Sequence, residues 1–370
     1  MKAVVYEGPG KIVVKEMPEP RPREGEVLLR PLYVGVCLTD VANYTNGAGA
    51  GMPGLIMGHE ASGEVIEVGP GVTGLAPGDR VAIDPTLYCG RCAPCQGGLY
   101  TMCQARMGPP FLGKWLGIDS RTRDAQPEYH GMLAERCAAP AYTCVKLPEN
   151  VSARDAATLE VAAIALRTVR GSSLRVGDDV VVLGGSDLGL RCMQWARAAG
   201  ARRVVVVEPI KVRREMAERL GADLAIDPGE VNPVKRTYQA IPNGADVVFA
   251  IPDVRGYLEM AYKIARIQGH VAIPTAVYTH DPALAGFPPS VLVGKEITLS
   301  SVMCFGIEPW RGGRARGDFQ TALDFLAAGR LGGAAYVTRV IPWAAVDDIV
   351  ALAYQRLPEQ EVKVMVQVSR

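Results

Sequence analysis

No stretch of this 370-residue chain approaches the ~18 consecutive apolar residues of a membrane-spanning helix. Its longest apolar runs are broken by Gly, Pro or charge. Neither sign of charge is in excess: 40 Lys and Arg face 39 Asp and Glu, a formal net charge of +1. That balance argues against nucleic acid or an anionic membrane as the main partner. The opening Met1-Lys2-Ala3-Val4-Val5-Tyr6-Glu7-Gly8 has no apolar leader region and reads as a strand. Internal repeats and low-complexity tracts are absent. With 48% hydrophobic and 21% charged residues, the chain has the composition of a folded globular protein rather than a disordered one. Its length suits two or three domains, and the cytoplasm is the expected compartment.

Cysteine, by contrast, is present in an informative pattern. Nine occur, an odd number in a chain long enough to need no disulfide staples. In a reducing compartment clustered cysteines point to metal. Cys89, Cys92, Cys95 and Cys103 follow the spacing C-x2-C-x2-C-x7-C, interleaved with Gly90, Pro94 and Gly97. Four thiolates so spaced can close tetrahedrally on Zn²⁺, although an iron–sulfur cluster uses similar ligands. With every coordination position filled by protein, such a zinc is structural.

Two textures divide the chain. Residues 1–150 are rich in Gly and Pro, with short β-branched runs at 3–6, 12–14, 26–33, 63–68 and 80–83. This pattern predicts an antiparallel, barrel-like β domain. Beyond Pro148 a helix is predicted from Ser152 to Arg170. Apolar strands at 179–183 and 203–207 then alternate with helices at 188–199 and 212–220. Further strand-like runs at 224–226, 245–251, 270–274 and 296–300 make 151–304 a doubly wound α/β domain. The remainder, a helix at 319–328 and strands at 338–341 and 363–368, is too small to stand alone and is expected to return to the first domain.

Gly184-Gly185-Ser186-Asp187-Leu188-Gly189 follows a strand and opens a helix, the context of a dinucleotide phosphate turn. Ser186 stands where that fingerprint has its second Gly, and the Asp187 carboxylate must point away from a pyrophosphate. Glu208 lies nineteen residues after Gly189, at the end of the next apolar strand, where an acid binds the adenosine ribose diol. It would repel a 2′-phosphate, favouring NAD over NADP. Lys211, Arg213 and Arg214 follow closely and offer either a counter-charge or a solvated helix face.

A lone Cys37 and a lone His59 would ordinarily read as core residues, and Thr39-Asp40 as a helix cap. Their surroundings change that reading. Gly35-Val36-Cys37-Leu38-Thr39-Asp40, Gly58-His59-Glu60-Ala61-Ser62-Gly63-Glu64-Val65 and the four-cysteine loop come first. Gly78-Asp79-Arg80-Val81, Glu160, the turn at 184–189 and Lys295-Glu296-Ile297-Thr298 follow. In this order, over essentially the whole chain, they resemble the zinc-dependent medium-chain dehydrogenase/reductase family. The closest likeness is to its polyol and secondary-alcohol branch, the sorbitol, butanediol and threonine dehydrogenase-like enzymes.

The resemblance implies an α/β protein with a GroES-like β-barrel catalytic domain over 1–150, completed by 305–370, and a Rossmann doubly wound parallel sheet over 151–304. It implies one structural zinc and one catalytic zinc, the latter on Cys37, His59 and a carboxylate from Glu60 or Glu160. Thr39 would relay the alcohol proton, Asp40 would orient His59, and Arg213 would sit on the cofactor ribose. Partners would be a small-molecule alcohol or ketone and further copies of the chain in a homodimer or homotetramer. One departure stands out. No His follows Asp40 in Val41-Ala42-Asn43-Tyr44, so proton exit falls to Tyr44, a cofactor hydroxyl or water. Two other functions fit the same motifs: a reductase of specialised metabolism, and a non-catalytic NAD-binding relative keeping only the structural zinc. Tyr44, Tyr88 and Trp115 are candidates to line a substrate cleft, and 112–130 to form a lid or surface loop. A loop is also expected at 310–317. Cys137, Cys144, Cys192 and Cys304 read as small buried residues, and His130, His270 and His280 have no ligand spacing.

Overall fold

The computed structural model describes residues 1–47, 53–105, 130–251, 256–274, 289–307 and 317–369. Trp115, His280 and the segments 112–129 and 310–316 lie outside the described residues. The chain forms two compact units, one of 1–160 with 306–370 and one of 161–305.

The first unit is built on β-strands. β1 (Lys2–Gly8), β2 (Lys11–Glu16), β3 (Glu26–Val36), β4 (Leu55–Ile56), β5 (Glu60–Val68), β6 (Arg80–Ile83), β7 (Cys137–Pro140) and β8 (Cys144–Lys146) come from its first segment. β1 is sandwiched between β2 and β4 in a three-stranded sheet. β3 is the hub of the larger sheet, pairing antiparallel with both β5 and β7. Its apolar residues Val27, Leu29, Val34 and Val36 are fully buried. Pro31 cannot donate to a ladder, and the β3–β5 register slips between Pro31 and Tyr33 to accommodate it.

The second unit carries β9 (Asp179–Leu183), β10 (Arg203–Val207), β11 (Leu224–Ile226), β12 (Ala245–Ala250), β13 (Ala265–Pro274) and β14 (Thr298–Val302). They are all parallel, in the order β11-β10-β9-β12-β13-β14. This is the doubly wound order, with its topological switch beside β9. Val180–Leu183 and Val204–Val207 are fully buried, as strands covered on both faces must be. Lys295, reached from the helix Pro289–Lys295, donates to the carbonyls of Tyr262, Lys263 and Ala265 at 2.7–3.0 Å. It thereby caps the C-terminus of the helix Tyr257–Ile264, where a cation is favoured.

The chain then returns to the first unit, where β15 (Arg339–Pro342) and β16 (Val364–Gln367) pair in parallel and β16 closes on β3. Several sequence expectations are corrected in detail. The single helix from Ser152 to Arg170 is two, Ala153–Ala156 and Leu159–Arg170. Ser152 does cap the first, but the Thr158 hydroxyl bonds Asp155 O at 2.7 Å and offers the backbone a turn instead. The strand expected from 296 begins at Thr298, because Glu296 is left-handed at φ 51. The helices Pro233–Ala240 and Tyr257–Ile264 were not expected at all.

Candidate metal and dinucleotide sites

β3 ends at Val36, and Cys37 caps the helix Leu38–Asn46. The Cys37 sulfur accepts from the Thr39 amide at 3.5 Å, and Asp40 Oδ2 accepts from the Cys37 amide at 3.0 Å. The cap is therefore Cys37, with Asp40 completing the reciprocal box, rather than Thr39-Asp40. Between β4 and β5, Gly58 adopts φ 95, and a Cβ there would lie 2.7 Å from Val34. That tight glycine turn delivers His59 and Glu60 to the buried end of β5.

Cys37 Sγ, a ring nitrogen of His59 and a carboxylate oxygen of Glu60 all lie within 4.8 Å of one another. Asp40 Oδ1 stands 3.7 Å from His59 Nδ1. Glu160 is buried at the start of the helix Leu159–Arg170 and lies outside that trio. It nevertheless acts on Cys37 electrostatically. Burial, then Glu60, push the Cys37 thiol well above its ordinary value, with Asp40 and Glu160 adding to the rise. Burial also raises Asp40.

Glu60 has a partner that sequence reasoning missed. Its Oε2 is ion-paired with Lys363 Nζ, and the two side chains are 0% and 1% exposed. Gly35 makes room for the pair, since a Cβ there would strike Glu60 Oε2 and lie 3.0 Å from Lys363 Cε. Strand register explains the meeting: Gly35 pairs with Glu60 on one side and with Met365 on the other. The available signal was a single Lys inside the apolar run Val362-Lys363-Val364-Met365-Val366.

A divalent cation fits this donor set. Cys37, Asp40, Glu60 and Glu160 are four acidic groups in one buried region, against the one ammonium of Lys363. Thr39 Oγ1, Asp40 Oδ1, His59 Nδ1 and Glu60 Oε1 are buried with no hydrogen-bond partner. Sulfur, imidazole and carboxylate are the ligand types zinc takes in sites with an open position. Tyr354, on the single π-helical turn Val350–Tyr354, is also buried near this site. Burial raises its phenol, with Asp40 and Cys37 contributing, and its ring meets Tyr44 edge-on at 5.8 Å.

The four-cysteine loop is assembled as a second cluster. All four sulfurs lie within 4.8 Å of one another, with Cys92 3.4 Å from Cys95 and 4.0 Å from Cys103. A tetrahedral zinc with Zn–S bonds of ~2.3 Å would set them about 3.8 Å apart. None of the nine cysteines is in a disulfide. Backbone amides lower the Cys89 thiol to about 6, whereas burial raises Cys95 to about 12. Beneath the loop, Tyr100 donates to Asp84 Oδ2 at 2.8 Å and the Thr86 amide to Oδ1 at 3.0 Å. Tyr88 packs between Tyr100 and Tyr142 here, at centroid distances of 5.0 and 4.7 Å.

Burial raises the Asp84 carboxyl to about 6. The unfolded chain releases this proton near pH 4 and the folded chain near pH 6, so between the two the folded state binds more protons. Stability must then fall as pH rises through that window, by on the order of 2–3 kcal/mol. Asp84→Asn is expected to flatten that fall. Denaturant unfolding at pH 4, 5, 6 and 7 checks it, and an unchanged slope would remove Asp84 from the account.

In the second unit, Gly184 ends β9 at φ 104, and a Cβ on Gly189 would collide with the Gly184 carbonyl. This close helix-to-strand approach is what the glycines of a dinucleotide turn provide. Ser186 occupies the N-cap position of the helix Asp187–Ala198 without a side-chain capping bond, and its buried hydroxyl has no hydrogen-bond partner. Asp187 Oδ1 accepts from the Leu188 amide at 2.8 Å, engaging the first turn of its own helix. Glu208 is buried, its Oε2 accepting from Gly185 at 2.6 Å and its Oε1 from Ile210 at 2.8 Å. Each oxygen keeps a lone pair for a ribose hydroxyl. The three basic residues behind it do not form a solvated face. Lys211 is exposed, but Arg213 is buried and Arg214 nearly so. Of the remaining cysteines, Cys137, Cys192 and Cys304 are buried and Cys144 is half-buried. His270 is held between the Ser173 amide at 3.2 Å and Ser300 Oγ at 2.6 Å.

A β-rich unit with two metal-ligand clusters and, in the same chain, a doubly wound sheet with a glycine turn after its first strand define a zinc-binding dehydrogenase. Comparison with known proteins agrees. Residues 23–149 match the alcohol dehydrogenase GroES-like domain and residues 188–328 match the zinc-binding dehydrogenase domain. The "Probable D-xylulose reductase A" of Aspergillus clavatus is 30% identical over 349 residues, 91% of this chain and 89% of that protein. The L-threonine 3-dehydrogenase of Pyrococcus furiosus is 34% identical over 262 residues, 70% of each. The crystal structure of 2R,3R-butanediol dehydrogenase from Bacillus subtilis superposes with a TM-score of 0.78 at 26% identity, covering 99% of both chains. The chain belongs to the zinc-dependent medium-chain alcohol dehydrogenase family, in its polyol dehydrogenase branch, and is an oxidoreductase.

Proposed function

We propose that this chain interconverts a secondary alcohol or polyol and its ketone, with a catalytic zinc on Cys37, His59 and Glu60 and with NAD as hydride carrier. The observation that carries the reading is the trio of half-buried Cys37 with buried His59 and Glu60, near Asp40, in which His59 Nδ1 and Glu60 Oε1 have no hydrogen-bond partner. When bound, the metal supplies Lewis acidity toward the alcohol oxygen and the nicotinamide accepts the hydride. The protein's own part is positional. Asp40 faces the His59 ring at 3.7 Å, and Lys363 balances the charge of Glu60. Thr39 Oγ1, buried and without a hydrogen-bond partner, takes the alcohol proton. Glu60 supports the reading better than Glu160, because only Glu60 reaches the trio. Glu208 supports NAD over NADP, and a carboxylate ligand in place of a second thiolate suits polyols. The second cluster, Cys89, Cys92, Cys95 and Cys103, holds a structural zinc.

Turnover measured over a panel of linear and cyclic polyols, with NAD⁺ and NADP⁺ in parallel, tests the reaction. Oxidation of none of them by zinc-loaded protein would defeat it. A cytoplasmic location agrees with nine unpaired cysteines. A homodimer or homotetramer agrees with the outer edge of β14, which no described strand pairs, and with exposed Ile267 and Val293 (69% and 76%) in that unit. Light scattering is expected to give two or four times the 39.5 kDa chain mass, and a monomer would count against this edge as an interface.

A further inference from the structure

A 2′-phosphate on adenosine ribose needs a cation, and three stand in the six residues that follow Glu208. Each is disposed of differently. Lys211 is exposed and reaches Glu215 at 3.8 Å, while Arg213 is buried on its helix. Arg214, on that same helix Lys211–Arg219, is tied down at both terminal nitrogens. Its Nη1 donates to the carbonyls of Glu208 at 2.9 Å and Pro209 at 2.5 Å. Its Nη2 meets Asp227 Oδ2 at 2.5 Å, with both side chains 17% exposed. Asp227 is itself fixed, because its Oδ1 accepts from the Gly229 amide at 2.8 Å. It follows β11 directly, beside the end of β10, where the Glu208 amide donates to Ile226 O at 3.0 Å.

We propose that Asp227 is a cofactor-selectivity residue: it latches Arg214 onto the carbonyls at the end of β10 and so withholds the guanidinium from a 2′-phosphate. The proposal rests on the reading of Glu208 as the ribose partner and deepens it. Bidentate recognition of phosphate uses two parallel N–H groups of one guanidinium. Here both terminal nitrogens are occupied and a carboxylate neutralises the charge. Glu208 repels the phosphate, and Asp227 denies it the Arg214 guanidinium. Removal of Glu208 alone therefore relaxes the preference without reversing it.

The test is calorimetric measurement of NAD⁺ and NADP⁺ dissociation constants on the zinc-loaded full chain. Wild type is expected to bind NAD⁺ more tightly, and Glu208→Ser to bring the two together. E208S with Asp227→Asn, which keeps an acceptor for Gly229, is expected to bind NADP⁺ about tenfold more tightly than E208S alone, with NAD⁺ unchanged within about threefold. Adding Arg214→Met should abolish that gain. No gain from D227N overturns the latch, and so does a gain that survives R214M, since it would reflect only lost repulsion. A second measurement does not depend on the folding of D227N. In the E208S background R214M must leave NADP⁺ affinity unchanged, and a loss there means Arg214 was never withheld. A wild type that prefers NADP⁺ overturns the Glu208 reading and the latch with it, which separates that failure from the others.

Discussion

Cys37→Ala is expected to lower bound zinc from two ions per chain to one and to reduce turnover at least about a thousandfold. Metal analysis and steady-state rates on the same preparation measure both. The physical basis is the imbalance of the site. Burial and Glu60 raise the Cys37 thiol, so it becomes a thiolate only when a cation shares its charge. Without that thiolate, His59 and Glu60 offer two ligands, and Glu60 is already shared with Lys363. A thousandfold corresponds to about 4 kcal/mol of lost transition-state stabilisation, within the several kcal/mol a Lewis-acidic metal contributes. The four-cysteine cluster lies elsewhere in the sequence and shares no ligand with this trio, so its zinc should remain. Two zincs persisting in the variant, or one zinc in wild type, would take the metal out of the mechanism.

Lys363→Met is expected to destabilise the first unit by about 3–5 kcal/mol, a large effect for a residue outside every motif. Truncating one member of a fully buried ion pair leaves the other charge without compensation. Glu60 would then sit beside Asp40 and Glu160 with no ammonium. Calorimetric melting of the zinc-free protein, where no metal stands in for the ammonium, reads the loss. Lys363→Arg should recover little, because the Gly35 backbone shapes the space to a slender chain. The pair with Glu60→Gln should be less damaging than the sum of the two single changes, and strict additivity would show that the two side chains are not coupled.

The fold class was legible because its signals are local. Strands covered on both faces must be apolar throughout, and 179–183 and 203–207 show it without help from the rest of the chain. Boundaries were less legible where one hydroxyl or one left-handed residue decided them, as at Thr158 and Glu296. The cysteine loop needed only short spacing, because four ligands within fifteen residues cannot move far apart. The dinucleotide turn was readable for the same reason, together with the position of Glu208.

The trio was a different case. Cys37 and His59 are twenty-two residues apart and were singled out only through family resemblance. Glu60 and Glu160 could not be separated on sequence, since both are acids beside apolar neighbours. The antiparallel register of β3 and β5 places Glu60 over Gly35, beside Cys37 and His59. Lys363 comes from the far end of the chain by the pairing of β16 with β3, and Arg214 finds Asp227 across the β10–β11 edge. By itself, then, the sequence determined the fold class, the four-cysteine cluster and the glycine turn after β9, because spacing and periodicity are properties of neighbouring residues. Only the tertiary structure decided which carboxylate lies beside Cys37 and His59 and which cation answers which acid, because charges buried together from distant strands are matched by register and not by spacing.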